Sequence, residues 1–78
     1  MHSVSAAKLS HYRGLLMAEL SRDVSWTEFA DMADISPHTI KNIRHGRTGG
    51  SPRVLKNIVD MLRSNGINAR MIDFLQPA

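Results

Sequence analysis

Residues 25–46 read SWTEFADMADISPHTIKNIRHG, and the first half of this stretch has the signature of a short helix. Ser25 and Glu28 have the spacing of a capping box. In such a box the serine hydroxyl accepts a hydrogen bond from the glutamate amide, and the glutamate carboxylate accepts one from the serine amide. The pattern predicts a helix over residues 26–33. Its expected inward residues are Phe29, Ala30 and Ala33.

The second half of the stretch predicts another short helix, directly after a turn formed by residues 34–36. Ser36 is a favourable N-cap, and the proline that follows it suits the first helical position because its missing N–H is not needed there. Gly46 suits the left-handed residue that ends a helix. We therefore expect a helix over residues 37–45.

This second helix has one apolar and one polar face at the 100° rotation of an α-helix. Ile40 and Ile43 fall on the apolar face, which we expect to be buried. The polar face holds His38, Lys41, Asn42 and His45. This short helix therefore has hydrogen-bonding side chains on one face and, on the opposite face, the two isoleucines expected to pack in the core.

The rest of the chain predicts three more helices, over about residues 5–20, 52–64 and 69–75. Ser51 repeats the serine-proline start, and Gly66 suits the end of the fourth helix. The expected inward residues of these helices are Leu9, Tyr12, Leu16, Leu20, Leu55, Ile58, Val59, Leu62, Met71, Ile72 and Leu75. No segment alternates for long enough to predict a strand, so the expected fold is an all-α, compact bundle of about five helices.

The composition is that of one folded domain: 78 residues, of which 42% are hydrophobic and 22% charged. The absence of cysteine excludes a disulfide framework, a thiolate zinc site and a thiol nucleophile. No run approaches the roughly 18 apolar residues needed to cross a bilayer, and the first residues lack the pattern of a signal peptide. We expect a cytoplasmic protein with no membrane contact.

The basic residues are concentrated in one part of the chain. Residues 35–59 contain five bases and no acid, whereas residues 19–34 contain five acids and one base. The five bases are Lys41, Arg44, Arg47, Arg53 and Lys56. This distribution indicates a region that faces anions, although a solvated basic face has the same composition.

Residues 25–46 resemble the helix-turn-helix of the Cro/C1-type repressor family, and the resemblance extends more weakly over residues 11–62. The matching positions are Phe29, Ala30, Ile35, Ser36, Ile40, Ile43 and Gly46. The resemblance implies a lambda-repressor-like fold and a sequence-specific transcriptional regulator that binds double-stranded DNA. It favours a repressor or autoregulator of the phage type.

By this resemblance the helix over residues 37–45 enters the major groove. His38, Thr39 and Asn42 match the usual base-contacting positions of the family, and Lys41 lies on the same face. Asparagine can form a bidentate pair with adenine, and lysine can reach guanine or phosphate. Because a small domain makes few base contacts, we expect a homodimer on a palindrome with half-sites about 34 Å apart.

The same resemblance divides the chain into three parts. Residues 11–66 are expected to form the helix-turn-helix DNA-binding domain. Residues 1–10 are an N-terminal arm or the start of the first helix. Residues 67–78 are a C-terminal helix that serves as a possible dimer element.

Two residues in the motif depart from the family pattern. Asp34 stands where the family usually has glycine in the turn, and aspartate visits the left-handed region more readily than most residues. Trp26 stands where the family favours a glutamine that anchors phosphate. Its indole N–H can donate to a phosphate, but we favour packing of this side chain against the first helix.

A third departure concerns charge. Many family members pair an arginine on the first helix with a glutamate near the end of the recognition helix, and the corresponding residues here are Glu19 and Arg44. With the signs exchanged, one hypothesis is that Glu19 and Arg44 form a partly buried ion pair. The alternative is that Arg44 contacts phosphate.

Residues 47–53 follow the second motif helix and combine arginines with glycines that let the backbone approach a ligand closely. We expect this segment to clamp the DNA backbone, although a flexible linker has the same glycines. The candidate phosphate-contacting residues are Trp26, Arg44, His45, Arg47, Thr48 and Arg53.

Other functions are weighed on the same residues. His38 and His45 are roughly 10 Å apart along a helix, too far to share a metal ion, and no nucleophile motif or phosphate loop indicates an enzyme. We expect no cofactor and no small-molecule ligand.

Two alternative functions remain. A protein-interaction module, such as an adaptor or antitoxin-like partner, is the alternative of another class, and a recombination, packaging or excision factor is the alternative within DNA binding. The residues that can form a protein-binding surface, or instead complete the core or a homodimer seam, are Met61, Met71, Ile72, Phe74 and Leu75.

Overall fold

A computed structural model describes residues 4–48 and 50–75, and it confirms the all-α fold with five helices. The helices are α1 (Val4–Leu20), α2 (Trp26–Met32), α3 (Pro37–Arg44), α4 (Pro52–Ser64) and α5 (Ile72–Leu75). The described part of the chain contains no strand. Helix α3 packs against α1 and α2, and α5 packs against α1.

Serine hydroxyls begin three of the helices. The Ser25 hydroxyl accepts a hydrogen bond from the Glu28 amide at 3.1 Å, as the capping box predicts. The second half of the box is wrong, because the Glu28 carboxylate pairs with the Arg22 guanidinium at 2.6 Å. Ser36 and Ser51 cap the first turns of α3 and α4 in the same way.

The first four helices end in the same backbone motif. Each is followed by a residue with positive φ: Ser21 (56°), Asp34 (57°), Gly46 (74°) and Gly66 (84°). Its amide donates to the carbonyl three positions back, and the next amide donates to the carbonyl five positions back. This is the Schellman motif, which satisfies carbonyls that the helix end leaves free. The two predicted glycine ends are confirmed, and Ser21 is an end that the sequence does not signal.

The core lies between the first four helices and is closed by the segment after α4. Its fully buried large side chains are Leu9, Leu16, Val24, Phe29, Ile40, Ile43, Leu55, Ile58 and Leu62. The inward residues predicted for these helices are buried, except that Leu20 is only partly covered. Burial of this apolar surface is the main contribution to folding.

The C-terminal segment differs from the prediction of a helix over residues 69–75. The chain stays irregular over residues 67–70, where Ala69 is buried and its carbonyl accepts a hydrogen bond from the Arg63 side chain at 2.7 Å. The four-residue α5 then turns Phe74 into the core, whereas Ile72, predicted inward, is half exposed. The side chain of Leu75 lies outside the described part.

Two further predictions concern the ends of the chain and the membrane. Helix α1 begins at Val4, so residues 4–10 are helical, while residues 1–3 and 76–78 lie outside the described residues. No helix in the described ranges has both the length and the apolar character needed to cross a membrane.

Candidate functional site

Helix α3 separates its apolar and polar residues as its sequence predicts. Ile40 and Ile43 are at most 1% exposed, so they anchor the helix in the core. The opposite side carries the polar residues: His38, Lys41 and His45 are exposed, and Thr39 and Asn42 are partly exposed. The four candidate base-contacting side chains therefore lie on a helix whose outer edge remains accessible.

The turn between α2 and α3 fixes the angle at which α3 leaves the core. The amides of Asp34 and Ile35 donate back to carbonyls of α2 at 3.1 and 3.0 Å. Ile35 packs against the core, and Ala30 is fully buried, so no bulky side chain holds the two helices apart. The Ser36 hydroxyl then caps α3 through the His38 amide at 3.1 Å.

Trp26 lies at the start of α2 and is partly buried. The Arg13 guanidinium of α1 lies 4.9 Å from the indole centroid, and the Arg44 guanidinium of α3 lies 4.7 Å from it. The indole also contacts the Phe29 ring edge-on at 5.5 Å. Trp26 thus packs against a side chain of α1, as favoured by the sequence, and also against one of α3, which the sequence did not predict. We call Arg13, Trp26 and Arg44 the arginine-tryptophan stack.

The hypothesis of an ion pair between Glu19 and Arg44 is wrong. The ion pairs formed within residues 4–48 and 50–75 are Arg22–Glu28, Lys56–Asp60 and Arg70–Asp73. The Arg44 guanidinium lies over the indole instead, and the Glu19 carboxylate lies beside Gly66. The indole face offers Arg44 an attractive surface close to the end of its own helix.

The segment that follows α3 is packed rather than loose at the point where it meets α4. Gly50 has φ of 87°, and a Cβ added there would lie 3.1 Å from the Leu55 side chain and 3.2 Å from Ile43. The Gly50 amide also donates to the Thr48 hydroxyl at 3.2 Å. The glycine is therefore needed for close packing, which a purely flexible linker would not require. Gly49 lies outside the described residues.

The arginines of this segment are exposed and form few hydrogen bonds with the rest of the described protein. Arg47 makes one long contact, 3.4 Å, from its guanidinium to the Asn42 side-chain oxygen. Arg53 lies in the first turn of α4 with its side chain exposed. Thr48 and His45 are exposed beside them. These exposed side chains are accessible to a ligand at the end of α3.

Most of the basic residues near α3 have no acidic partner. Among the described residues, Lys41, Arg44, Arg47 and Arg53 form no ion pair with a carboxylate. Lys56 differs, because its ammonium group lies 2.8 Å from Asp60. Of the five bases in the predicted anion-facing region, four therefore have no carboxylate partner among the described residues, and Lys56 has one.

Arg13 is the site residue that sequence reasoning did not identify. Its Nε donates to the Val24 carbonyl at 2.6 Å, and its guanidinium lies over Trp26. The only sequence signal is an arginine on a helix that the motif packs against, and this signal does not distinguish Arg13 from other surface arginines.

Comparison with known proteins adds no relative. The chain matches no protein-family model. No curated protein and no solved structure matches it. A function must therefore be inferred from the residues and geometry of the site.

Proposed function

We propose that this protein binds double-stranded DNA and acts as a sequence-specific transcriptional regulator, with α3 in the major groove. The observation that carries the proposal is the orientation of α3, which buries Ile40 and Ile43 and leaves His38 and Lys41 exposed. A polar helix edge held rigidly by a buried apolar edge is the arrangement that groove reading requires.

The exposed residues have the chemistry to read base edges. Asn42 can make a bidentate pair with adenine, and Lys41 can donate to guanine or to phosphate. His38 can donate or accept at a base edge, and Thr39 can contact a thymine methyl group. An eight-residue helix is roughly 12 Å long, which matches the width of the major groove.

The cations around α3 support binding to the DNA backbone. Lys41, Arg44, Arg47 and Arg53 lie on α3, on the segment after it and at the start of α4, and none has an acidic partner within the described residues. Phosphate contacts of this kind supply much of the affinity and fix the register of the helix in the groove. The resemblance of residues 25–46 to the Cro/C1-type motif supports the same assignment.

A homodimer on a palindromic site completes the proposal. One domain of this size makes few base contacts, and a second copy on a half-site about 34 Å away doubles them. We place the contact between copies on α4 and α5. A groove of about 410 Å³ lies there, with Val59 and Met71 among its lining residues, and Ile72 is half exposed nearby.

The same groove gives the second candidate function, a protein-interaction module. Its apolar surface is smaller than the sequence allows, because Met61 and Phe74 are buried in the core. Only Met71 and Ile72 of the described candidates remain accessible. A protein-binding function would use this groove and leave the α3 edge unused.

Selection of bound sequences from random duplex DNA tests the proposal and yields a probe for the binding experiments. We expect Asn42→Ala to weaken binding of the selected duplex by about 1–3 kcal/mol and to relax the preference at one base pair. Asn68→Ala is the matched control, because it removes the same kind of side chain from an exposed position in the segment after α4. Anisotropy of labelled duplex measures both. Failure of the wild-type protein to bind duplex DNA at low ionic strength would reject the function.

A further inference from the structure

The arginine-tryptophan stack joins three helices through one side chain. Arg13 belongs to α1, Trp26 to α2 and Arg44 to α3. Arg13 is fixed at its other side by the 2.6 Å bond from its Nε to the Val24 carbonyl. Arg44 has no such bond within the described residues, and its side chain is exposed. Within the stack, Arg13 is therefore held by a hydrogen bond, whereas the Arg44 guanidinium contacts the indole and remains accessible.

The charges in the stack have no acidic partner. Both guanidiniums lie within 5 Å of the indole centroid, so they are no more than about 10 Å apart. Neither forms an ion pair with a carboxylate in the described part of the chain. Two like charges at this separation repel each other and jointly attract an anion. The negative face of the indole attracts the guanidiniums and offsets part of the repulsion between them.

The position of Arg44 limits which anion can reach it. Arg44 is the last residue of α3, two residues after Asn42 and three after Lys41. A helix seated in the major groove has backbone phosphates on both sides, so its terminal residue lies next to one of them. A guanidinium over an aromatic face keeps N–H donors at its edge, and these can bind two phosphate oxygens together.

We propose that Arg44 binds a backbone phosphate of DNA and that Trp26 is its positioning residue, with the indole also in contact with Arg13. This inference rests on the proposed function. Trp26 does not donate its own N–H to phosphate in this arrangement. Its indole holds the Arg44 guanidinium in place before DNA arrives, so that less side-chain freedom is lost on binding.

The two roles give different salt dependences. Removing a phosphate ligand lowers the slope of log affinity against log salt by about one, because one fewer counterion is released. Removing a positioning residue leaves the number of phosphate contacts unchanged, so the affinity falls while the slope stays the same. A residue with only a structural role would change thermal stability and would not couple to Arg44.

The experiment measures affinity for the selected duplex by anisotropy across a salt series, for Arg44→Ala, Trp26→Leu and the double variant. Arg44→Ala should lower the slope by about one. Trp26→Leu should weaken binding about three- to thirtyfold at an unchanged slope. The double variant should bind no more weakly than Arg44→Ala alone. Trp26→Phe, which keeps an aromatic face, should restore most of the affinity, and this variant guards against a failure of the leucine variant to fold.

The outcomes separate the two proposals. Losses that multiply in the double variant, or a wild-type slope in Arg44→Ala, overturn the role of the stack while DNA binding stands. Absence of wild-type binding to any duplex rejects the proposed function and the role of the stack with it. Arg70→Ala, which removes an equal charge on the linker before α5, should leave affinity within about twofold of wild type.

Discussion

Asp34 and Ser21 leave their helices with φ of 57° and 56°, a conformation that costs a residue with a Cβ more than it costs glycine. Asp34 adopts this conformation at the turn that sets the direction of α3. The Schellman hydrogen bonds and the burial of the neighbouring Ile35 hold the residue there. The turn is therefore determined by its surroundings more than by the preference of its own side chain.

Replacing Asp34 with glycine should stabilise the protein. The left-handed conformation then costs less, and we expect the free energy of unfolding to rise by up to about 1 kcal/mol in urea denaturation. Gly66→Ala is the opposite control, because this glycine has φ of 84° and an added Cβ would lie 3.4 Å from the Glu19 carboxylate. That variant should lose about 1 kcal/mol. A less stable Asp34→Gly protein would contradict the strain assigned to the turn.

Helix α5 shows what local sequence cannot reveal about an element. Its four residues are too few for a periodic pattern, and a hydrogen bond from the Tyr12 hydroxyl to the Asp73 carboxylate at 2.6 Å ties it to α1. Phe74 adds a buried contact with the Tyr12 ring at 5.7 Å between centroids. The sequence located α1 by its apolar stripe, and it located α2 to α4 by their apolar residues and serine caps. The bounds of α5 depend on contacts 61 residues apart in the chain.

The bond between Tyr12 and Asp73 predicts a loss of stability at alkaline pH. Burial raises the pKa of Tyr12 from 10.0 to about 12, and the hydrogen bond to Asp73 adds to the effect. The folded state therefore holds the Tyr12 proton more tightly than the unfolded state. This difference adds to the free energy of unfolding in full below pH 10, and the addition is lost between pH 10 and about 12. The same bond lowers the pKa of Asp73, whose contribution is lost as pH falls below 3.8.

Tyr12 is the one tyrosine in the sequence, so tyrosinate absorbance follows it directly. We expect a midpoint near 12 in the folded protein and near 10 in urea. Tyr12→Phe should be less stable at neutral pH, because Asp73 loses its hydrogen bond, and its stability curve should lack the part of the alkaline decline that comes from this residue. A folded-state midpoint near 10 would show that Tyr12 is neither buried nor bonded to Asp73 in solution.

The whole molecule separates a supporting side from a proposed binding side. Helix α1 and the segment after α4 close the core, while α3 and residues 47–53 carry the cations without acidic partners. The sequence predicted the faces of α3 because isoleucine and polar residues follow the helical period. It did not predict the stack, because Arg13, Trp26 and Arg44 are brought together only when three helices pack.

If the outer edge of α3 is the surface that binds DNA, an amide-resolved NMR titration with the selected duplex will map the contact onto that edge. We predict the largest shift changes at residues 38–48 and at Arg53, with the Trp26 indole following Arg44. Exposed residues of α1 outside the stack, such as Leu15, should change little. Shifts confined to the groove lined by Val59 and Met71, or no shifts at low ionic strength, would show that α3 does not bind DNA.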